Sequence, residues 1–117
     1  MRSMDEKSFE NVEKLKQELR RGIIVVAVMS RLQDFQYGYA MLKDLNDRGF
    51  EIGQDTLYPL LRRLEEQQML ESEWRTDDAR PRRYYRLNQS GREALELLKA
   101  EWNELVKVIR RMTNEPK

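Results

Sequence analysis

A cluster of arginines is the part of the sequence whose side chains are best suited to binding chemistry. Residues 75–86 hold five arginines and two aspartates, a local net charge of +3, whereas the whole chain carries only +1. Guanidinium groups stay protonated and pair with phosphate oxygens in a bidentate manner. Residues 4–18 instead hold five acids and three lysines, a balance of −2. Positive charge is therefore concentrated in one short segment, which suits a phosphate backbone.

A leucine-bearing segment, residues 56–65, precedes this cluster. Its leucines recur at three- and four-residue intervals and so share one buried face of a helix: Leu57, Leu60, Leu61 and Leu64. The opposite face is polar and includes Arg62, with Tyr58 and Arg63 on its flanks. Asp55 is a candidate N-cap, and a start near Gln54 or Asp55 makes the proline at 59 tolerable. For any single charge here, a solvated face is the alternative.

Composition excludes several function classes. The 117 residues form one domain, with 37% charged and 39% hydrophobic residues. Cysteine and histidine are absent, which removes thiolate chemistry, zinc-thiolate sites and the commonest general base. The acid pairs 65–66 and 77–78 are sequence neighbours that diverge, and no glycine loop suits phosphate. We therefore expect neither an enzyme nor a cofactor.

The chain has no apolar run near the roughly 18 residues of a membrane span, and its start lacks a signal pattern. We expect a cytoplasmic protein without a membrane partner.

Two helical segments precede the leucine helix. Residues 5–21 are amphipathic, and the β-branched run 23–29 could be a buried strand or a helix; the continuing helical pattern favours a helix. Gly22 marks a kink or a break between the two. Residues 37–49 predict a short helix that stops at Gly49. Because only a brief connection separates it from the leucine helix, the pair predicts a helix-turn-helix.

Two strand-like runs follow, residues 70–76 and 82–87, with a polar loop containing Pro81 between them. They predict a β-hairpin wing. Trp74 and one of Tyr84 and Tyr85 are expected to pack against the helices.

The last segment predicts a long helix with Asn88 as its N-cap. Its apolar residues are spaced as a heptad seam: Leu95, Leu98, Trp102, Leu105, Ile109 and Met112. Packing of this seam on residues 9–26 of the same chain is the alternative. So short a chain has little else to cover both long helices, and we therefore predict a homodimer built from both chain ends, with Leu15 and Leu19 contributing.

Four motifs, taken in order, resemble the PadR family of bacterial transcriptional regulators. They are Tyr37–Tyr39, Thr56–Glu65, Leu70–Trp74, and Arg82–Leu87 with the following Ser90-Gly91. The resemblance spans roughly residues 20–112, and the single C-terminal helix is similar to the smaller subfamily. It implies a mostly α winged helix-turn-helix with a small β-hairpin, whose N- and C-terminal helices form a dimer interface. It also implies a homodimeric repressor on a pseudo-palindromic operator, released by a small molecule.

The corresponding division of the chain has four parts. It comprises an N-terminal helical extension (1–21), a DNA-binding domain (22–87) with its recognition helix at about 54–68 and its wing at about 70–87, a dimerisation helix (88–113) and a tail (114–117).

The resemblance assigns DNA contacts residue by residue. Thr56, Tyr58 and Arg62, with Arg63 beside them, match the part of the recognition helix that reads the major groove. Tyr37 and Tyr39 match residues that position the DNA backbone, although Tyr39 could equally be a core residue. The basic wing, which would contact phosphate or the minor groove, is matched by Arg80, Arg82 and Arg83.

The resemblance also implies an effector site. In multidrug-responsive members, a tryptophan at the position of Trp102 stacks on flat aromatic ligands at the dimer interface, and its neighbours here would be Phe9, Val12 and Ile109. The alternative is a bulky seam residue that only fills space. A winged-helix module that binds only protein is the second functional hypothesis, and the wing arginines argue against it.

Overall fold

The computed structural model describes residues 4–77 and 80–115, except for the side chain of Asp77. Residues 78–79 of the wing loop, the first three residues of the N-terminal extension and residues 116–117 of the tail lie outside this description. The described elements follow the order α1 (Glu6–Ser30), β1 (Gln36–Tyr37), α2 (Gly38–Asp47), α3 (Gln54–Glu66), β2 (Leu70–Asp77), β3 (Arg80–Leu87) and α4 (Gln89–Asn114). This is the mostly helical fold with a hairpin that the sequence predicts.

Helix α1 is one continuous helix through Gly22. Its N-cap is Asp5, whose carboxylate accepts a hydrogen bond of 2.7 Å from the amide of Ser8. The β-branched run 23–29 is helical as predicted, and Val28 and Met29 at its end are buried. The predicted boundary between residues 21 and 22 therefore falls inside a single helix.

The hydrophobic core lies where α1, α2 and α3 meet the base of the sheet. All four leucines of the predicted face of α3 are buried, which confirms that pattern. They pack with side chains from every other helix, from both long strands and from the loop after α1: Val28, Met29, Leu32, Met41, Leu45, Leu70, Leu87 and Leu95. Helix α3 is thereby fixed on one face and free on the other.

The connection between α2 and α3 is held by the side chain of Asn46. This amide donates to the carbonyls of Leu42 and Ile52 at 2.8 and 2.9 Å. Gly49 adopts a φ of +94°, the left-handed conformation that ends a helix, as predicted. The N-cap of α3 is Gly53, so the candidate cap Asp55 was wrong; it lies in the first turn, where its charge suits the helix dipole.

The sheet is antiparallel, with strand order β1-β3-β2. Strand β1 was not predicted, because two residues are too few to show an alternating pattern. Tyr85 packs on the core as expected for one of the tyrosines. The expectation for Trp74 was wrong, since its side chain is 66% exposed. Trp74 lies four residues along β2 from the core residue Leu70, in the part of the hairpin that extends beyond the core cluster.

Helix α4 begins where its sequence predicts. The Asn88 side chain accepts a 2.8 Å hydrogen bond from the Gly91 amide. Gly91 itself lies against the backbone of residue 69: a Cβ at this position would stand 2.1 Å from the Met69 carbonyl oxygen. That carbonyl also accepts from the Asn88 amide at 3.1 Å, so it has little freedom to move away.

Two glycine substitutions should therefore change stability in opposite directions. Gly91→Ala forces the Met69 carbonyl aside and should lower the free energy of unfolding by about 1–3 kcal/mol. Gly22→Ala meets no atom within 4 Å in the middle of α1 and should raise it by up to about 1 kcal/mol. Urea unfolding followed by circular dichroism measures both. A Gly91→Ala protein as stable as the parent would contradict the close contact.

Candidate nucleic-acid interface

The free face of α3 carries exposed polar side chains. Thr56 lies in its first turn, and Arg62 and Arg63 follow on later turns, all exposed. No acid among the described residues forms an ion pair with either arginine. The two guanidinium groups are therefore available to an external anion.

Tyr58 joins α3 to the start of α2. Its ring lies directly on Gly38, where a Cβ would stand only 2.2 Å from the Cε1 atom of the tyrosine. Any other residue at 38 would displace the ring, so this close approach favours glycine. Tyr58 is half-buried, and its ring adds a contact between two helices that also pack through the core.

An open cavity of about 530 Å³ lies between the start of α2, the side of α3 and strand β3. Tyrosine and arginine side chains line most of it, and we call it the tyrosine groove: Tyr37, Gly38, Tyr39, Tyr58, Arg80, Arg82, Arg83 and Tyr85. The groove brings together the predicted contacts from α2 and the wing. Thr56, Arg62 and Arg63 lie outside it, along α3.

Helix α2 directs its N-terminus toward this groove. Tyr37 occupies the N-cap position but makes no side-chain capping hydrogen bond. The first amide groups of a helix carry partial positive charge and are suited to a phosphate oxygen. Tyr39, one residue into α2, is 62% exposed, so the core alternative for this residue was wrong.

Arg82 is held by aromatic rings. Its guanidinium lies 4.6 Å from the ring centroid of Tyr37, and that ring makes an edge-to-face contact with Tyr84 at 5.5 Å. A cation–π contact orients the guanidinium without neutralising it. No acid in the described part of the chain pairs with Arg82, so its full charge faces the groove.

Arg83 has a different environment. Its Nη2 donates to both carboxylate oxygens of Glu65, at 2.8 and 2.7 Å, and its Nε donates to the Ser72 hydroxyl at 3.2 Å. Ser72 in turn donates to Glu65. Sequence reasoning missed Glu65; the available signal was its position one helical turn after the buried Leu61, at the edge of the leucine face.

Two further wing arginines are also paired with acids. Arg86 bonds Glu71 and Arg75 bonds Glu73, each through a 2.7 Å contact from Nε. Both guanidinium groups also lie over the ring of Phe35. The net charge of +3 counted along the sequence is thus distributed unevenly, because only some of the wing arginines keep an uncompensated charge.

Two pKa shifts reflect the packing around the interface. Burial raises the pKa of the Tyr85 phenol, since the phenolate would lose hydration. Hydrogen bonds from Arg31 and Arg48 lower the pKa of Asp44. The bond from Arg31, 2.7 Å long, ties α2 to the end of α1.

A second surface of the molecule is apolar and exposed. The outer halves of α1 and α4 present large hydrophobic side chains to solvent: Phe9, Leu15, Leu19, Trp102, Leu105, Ile109 and Met112. Val12 is half-buried. Leu95 is only 4% exposed and Leu98 packs on the core, so these two seam residues are used within their own chain. The free part of the seam begins at Trp102.

A helix-turn-helix followed by a basic hairpin defines a winged helix-turn-helix. Residues 25–97 match the family model described as the transcriptional regulator PadR-like family. A protein of Mycobacterium tuberculosis described as a transcriptional regulator is 35% identical over 79 residues, covering 67% of this chain and 74% of that protein. The chain belongs to the PadR-like family of transcriptional regulators.

Solved structures agree with this assignment. A PadR family transcriptional regulator from Eggerthella lenta is 38% identical, with a TM-score of 0.92 over 96% of this chain and 100% of that one. A PadR family regulator from Clostridium difficile is 27% identical, with a TM-score of 0.71 over 79% and 99% of the two chains. The winged-helix fold and the family resemblance are thereby confirmed. No helix in the described residues is long and apolar enough to cross a membrane.

Proposed function

We propose that this regulator represses transcription by binding duplex DNA with α3 in the major groove and the wing on the flanking backbone. The observation that carries the proposal is the tyrosine groove beside the exposed face of α3, with the uncompensated guanidinium of Arg82 at its edge. Phosphate contacts of this kind supply affinity and fix register, while base contacts supply specificity.

The contacts fall into two groups. Thr56, Tyr58 and Arg62, with Arg63 beside them, face the base edges, since the N-terminal part of a recognition helix usually reads them. The second group contacts the backbone through hydroxyl, guanidinium and helix-terminal amide groups: Tyr37, Tyr39, Arg80 and Arg82. A module that binds only protein is the competing function, and it requires none of these free cations.

The same proposal includes a homodimer. The exposed apolar side chains of α1 and α4 form a continuous surface that no other part of the described chain covers. A two-fold dimer would bury this surface. Two recognition helices related by a dyad bind a pseudo-palindromic operator, with half-sites about 34 Å apart or a multiple of that distance.

A small planar aromatic effector is the final part of the proposal. Trp102 is 45% exposed on the free seam, and in the dimer it would approach its symmetry mate near Phe9, Val12 and Ile109. Two indole rings across a dyad offer the offset stacking that flat aromatic ligands favour.

DNA binding should depend on salt through Arg82. Because each phosphate contact releases a counterion, Arg82→Gln should lower the slope of log affinity against log salt by about 0.9 and weaken binding to every duplex sequence. Fluorescence anisotropy of labelled duplexes at several salt concentrations measures this slope. Arg110→Gln, an exposed change near the far end of α4, is the matched control and should leave the slope unchanged.

In the same titrations, Arg62→Ala should alter the preference among operator sequences more than the slope, because this side chain is assigned to base edges. If the parent protein binds no duplex at low salt, neither operator nor random sequence, DNA binding is disproved and the protein-only module is favoured.

Dimerisation should depend on the free part of the seam. Leu105→Glu places a charge among exposed apolar side chains and should shift sedimentation from the dimer to a single chain of 14.2 kDa. Leu97→Glu is the control, because Leu97 is also exposed on α4, 73% against 52% for Leu105, but lies off the seam. A parent protein that sediments as one chain at all concentrations would refute the dimer.

The effector site can be tested by tryptophan fluorescence. In a Trp74→Phe protein, Trp102 is the remaining indole, and titration with planar aromatic drugs should quench it in a saturable manner. The Trp102→Phe protein, which keeps the exposed Trp74, should show no saturable response. An unchanged Trp102 signal across a broad panel of such drugs would count against the pocket.

A further inference from the structure

Adjacent arginines of the wing point to opposite sides of the sheet. Successive residues of a strand alternate between its two faces, so the side chains of Arg82 and Arg83 leave opposite faces of β3, although both also border the tyrosine groove. Arg82 lies over Tyr37 of β1. Arg83 faces the recognition helix α3, where it meets Glu65.

The outer half of the hairpin is held on one face by Arg75 over Phe35 and Arg82 over Tyr37, and on the face toward α3 by Arg83. The base of the hairpin is anchored by the buried leucines Leu70 and Leu87. Arg83 precedes Leu87 by four residues and so lies roughly 13 Å along the strand from this anchor. A two-stranded ribbon is only marginally rigid by itself. The hydrogen-bonded group of Arg83, Glu65 and Ser72 connects this outer half to α3, and we call it the wing brace.

We infer that Arg83 is a positioning residue, which through Glu65 and Ser72 fixes the angle between the wing and the recognition helix, and that it does not contact phosphate. The inference rests on the proposed DNA-binding function. Glu65 lies one residue beyond the buried Leu64 and one turn from Arg62. The brace therefore sets the distance between the side chains assigned to bases and the wing arginines assigned to phosphate, Arg80 and Arg82.

The electrostatics of the brace support this role. Arg83 and Glu65 are 39% and 27% exposed, so the pair is partly shielded from water and its hydrogen bonds are charge-assisted. Transfer of Arg83 to a phosphate would leave the Glu65 carboxylate unpaired beside a polyanion, a like-charge contact that disfavours binding. Arg82 has no acidic partner in the described part of the chain and can therefore contact phosphate.

Arg83 could either contact phosphate or position the wing, and removal of the Glu65 charge should change DNA affinity in opposite directions in the two cases. If Arg83 contacts phosphate, Glu65→Gln frees its guanidinium and removes a repulsive charge, so DNA affinity should rise. If the brace positions the wing, Glu65→Gln should lower affinity about fivefold, the effect expected from loss of roughly 1 kcal/mol of partly exposed ion pairing. Glu66→Gln removes the same charge from the exposed neighbouring position and is the matched control, with unchanged or slightly higher affinity.

The salt dependence gives an independent result. Arg83→Gln should weaken binding without changing the slope of log affinity against log salt, whereas a phosphate contact predicts a slope lower by about 0.9. The double variant Arg83→Gln/Glu65→Gln should bind as the single variants do, because both remove one shared interaction. A reduced slope for Arg83→Gln, or higher affinity for Glu65→Gln, would overturn the inference.

A measurement without DNA tests the brace even if the proposed function fails. Trp74 lies opposite Arg83 in the strand pair, with the guanidinium 5.9 Å from its ring. The indole N–H resonance of Trp74, assigned from the Trp74→Phe spectrum, should shift in Glu65→Gln and stay in place in Glu66→Gln. An identical resonance in all three proteins would show that Glu65 does not hold Arg83, whereas a shift combined with no DNA binding would refute only the proposed function.

Discussion

The burial of one face of α3 is the constraint on which the rest of the structure depends. Its four leucines pack into the core formed with α1, α2 and the base of the sheet. Burial of each leucine side chain is worth about 1.5–3 kcal/mol, so rotation of the helix would expose a large apolar area. The orientation of Arg62 and Thr56 toward solvent is a consequence of that packing. Because packing fixes the helix, the polar side chains on its other face keep a constant arrangement without needing hydrogen bonds to the rest of the protein.

The wing uses charge differently from what a count of its residues suggests. Three arginines are paired with acids on α3 or on β2: Arg75, Arg83 and Arg86. These pairs order the hairpin and reduce its net charge, and Arg82 is oriented instead by an aromatic ring. Ion pairs at such partly exposed positions contribute little to the free energy of unfolding. Their value lies in geometry, because they determine which guanidinium groups remain free and where those groups point.

The sequence predicted the helices, the hairpin and the buried face of α3, since each rests on a periodicity that is local in the chain. Other features depend on contacts between distant residues and left no local signal. Strand β1 exists only through its pairing with Tyr84 and Tyr85, and Glu65 differs from a solvated acid only because Arg83 lies opposite it in the fold. Trp74 was misjudged because hydrophobicity alone does not reveal that this part of the hairpin extends beyond the core. The role of Gly38 could not be predicted either, because it depends on a contact with the ring of Tyr58.

In the proposed homodimer, α4 would act as a lever between the effector site and DNA. Trp102 lies 14 residues from the N-cap Asn88, which corresponds to about 21 Å of helix. A rotation of about 10° at Trp102 would therefore move the start of α4 by about 3.6 Å, close to the spacing of about 3.4 Å between successive bases along one strand. Because Gly91 packs directly against the backbone that follows α3, such a movement would pass to the recognition helix with little loss. In the proposed homodimer, an aromatic ligand that separated the two indoles would therefore shift both recognition helices relative to their half-sites.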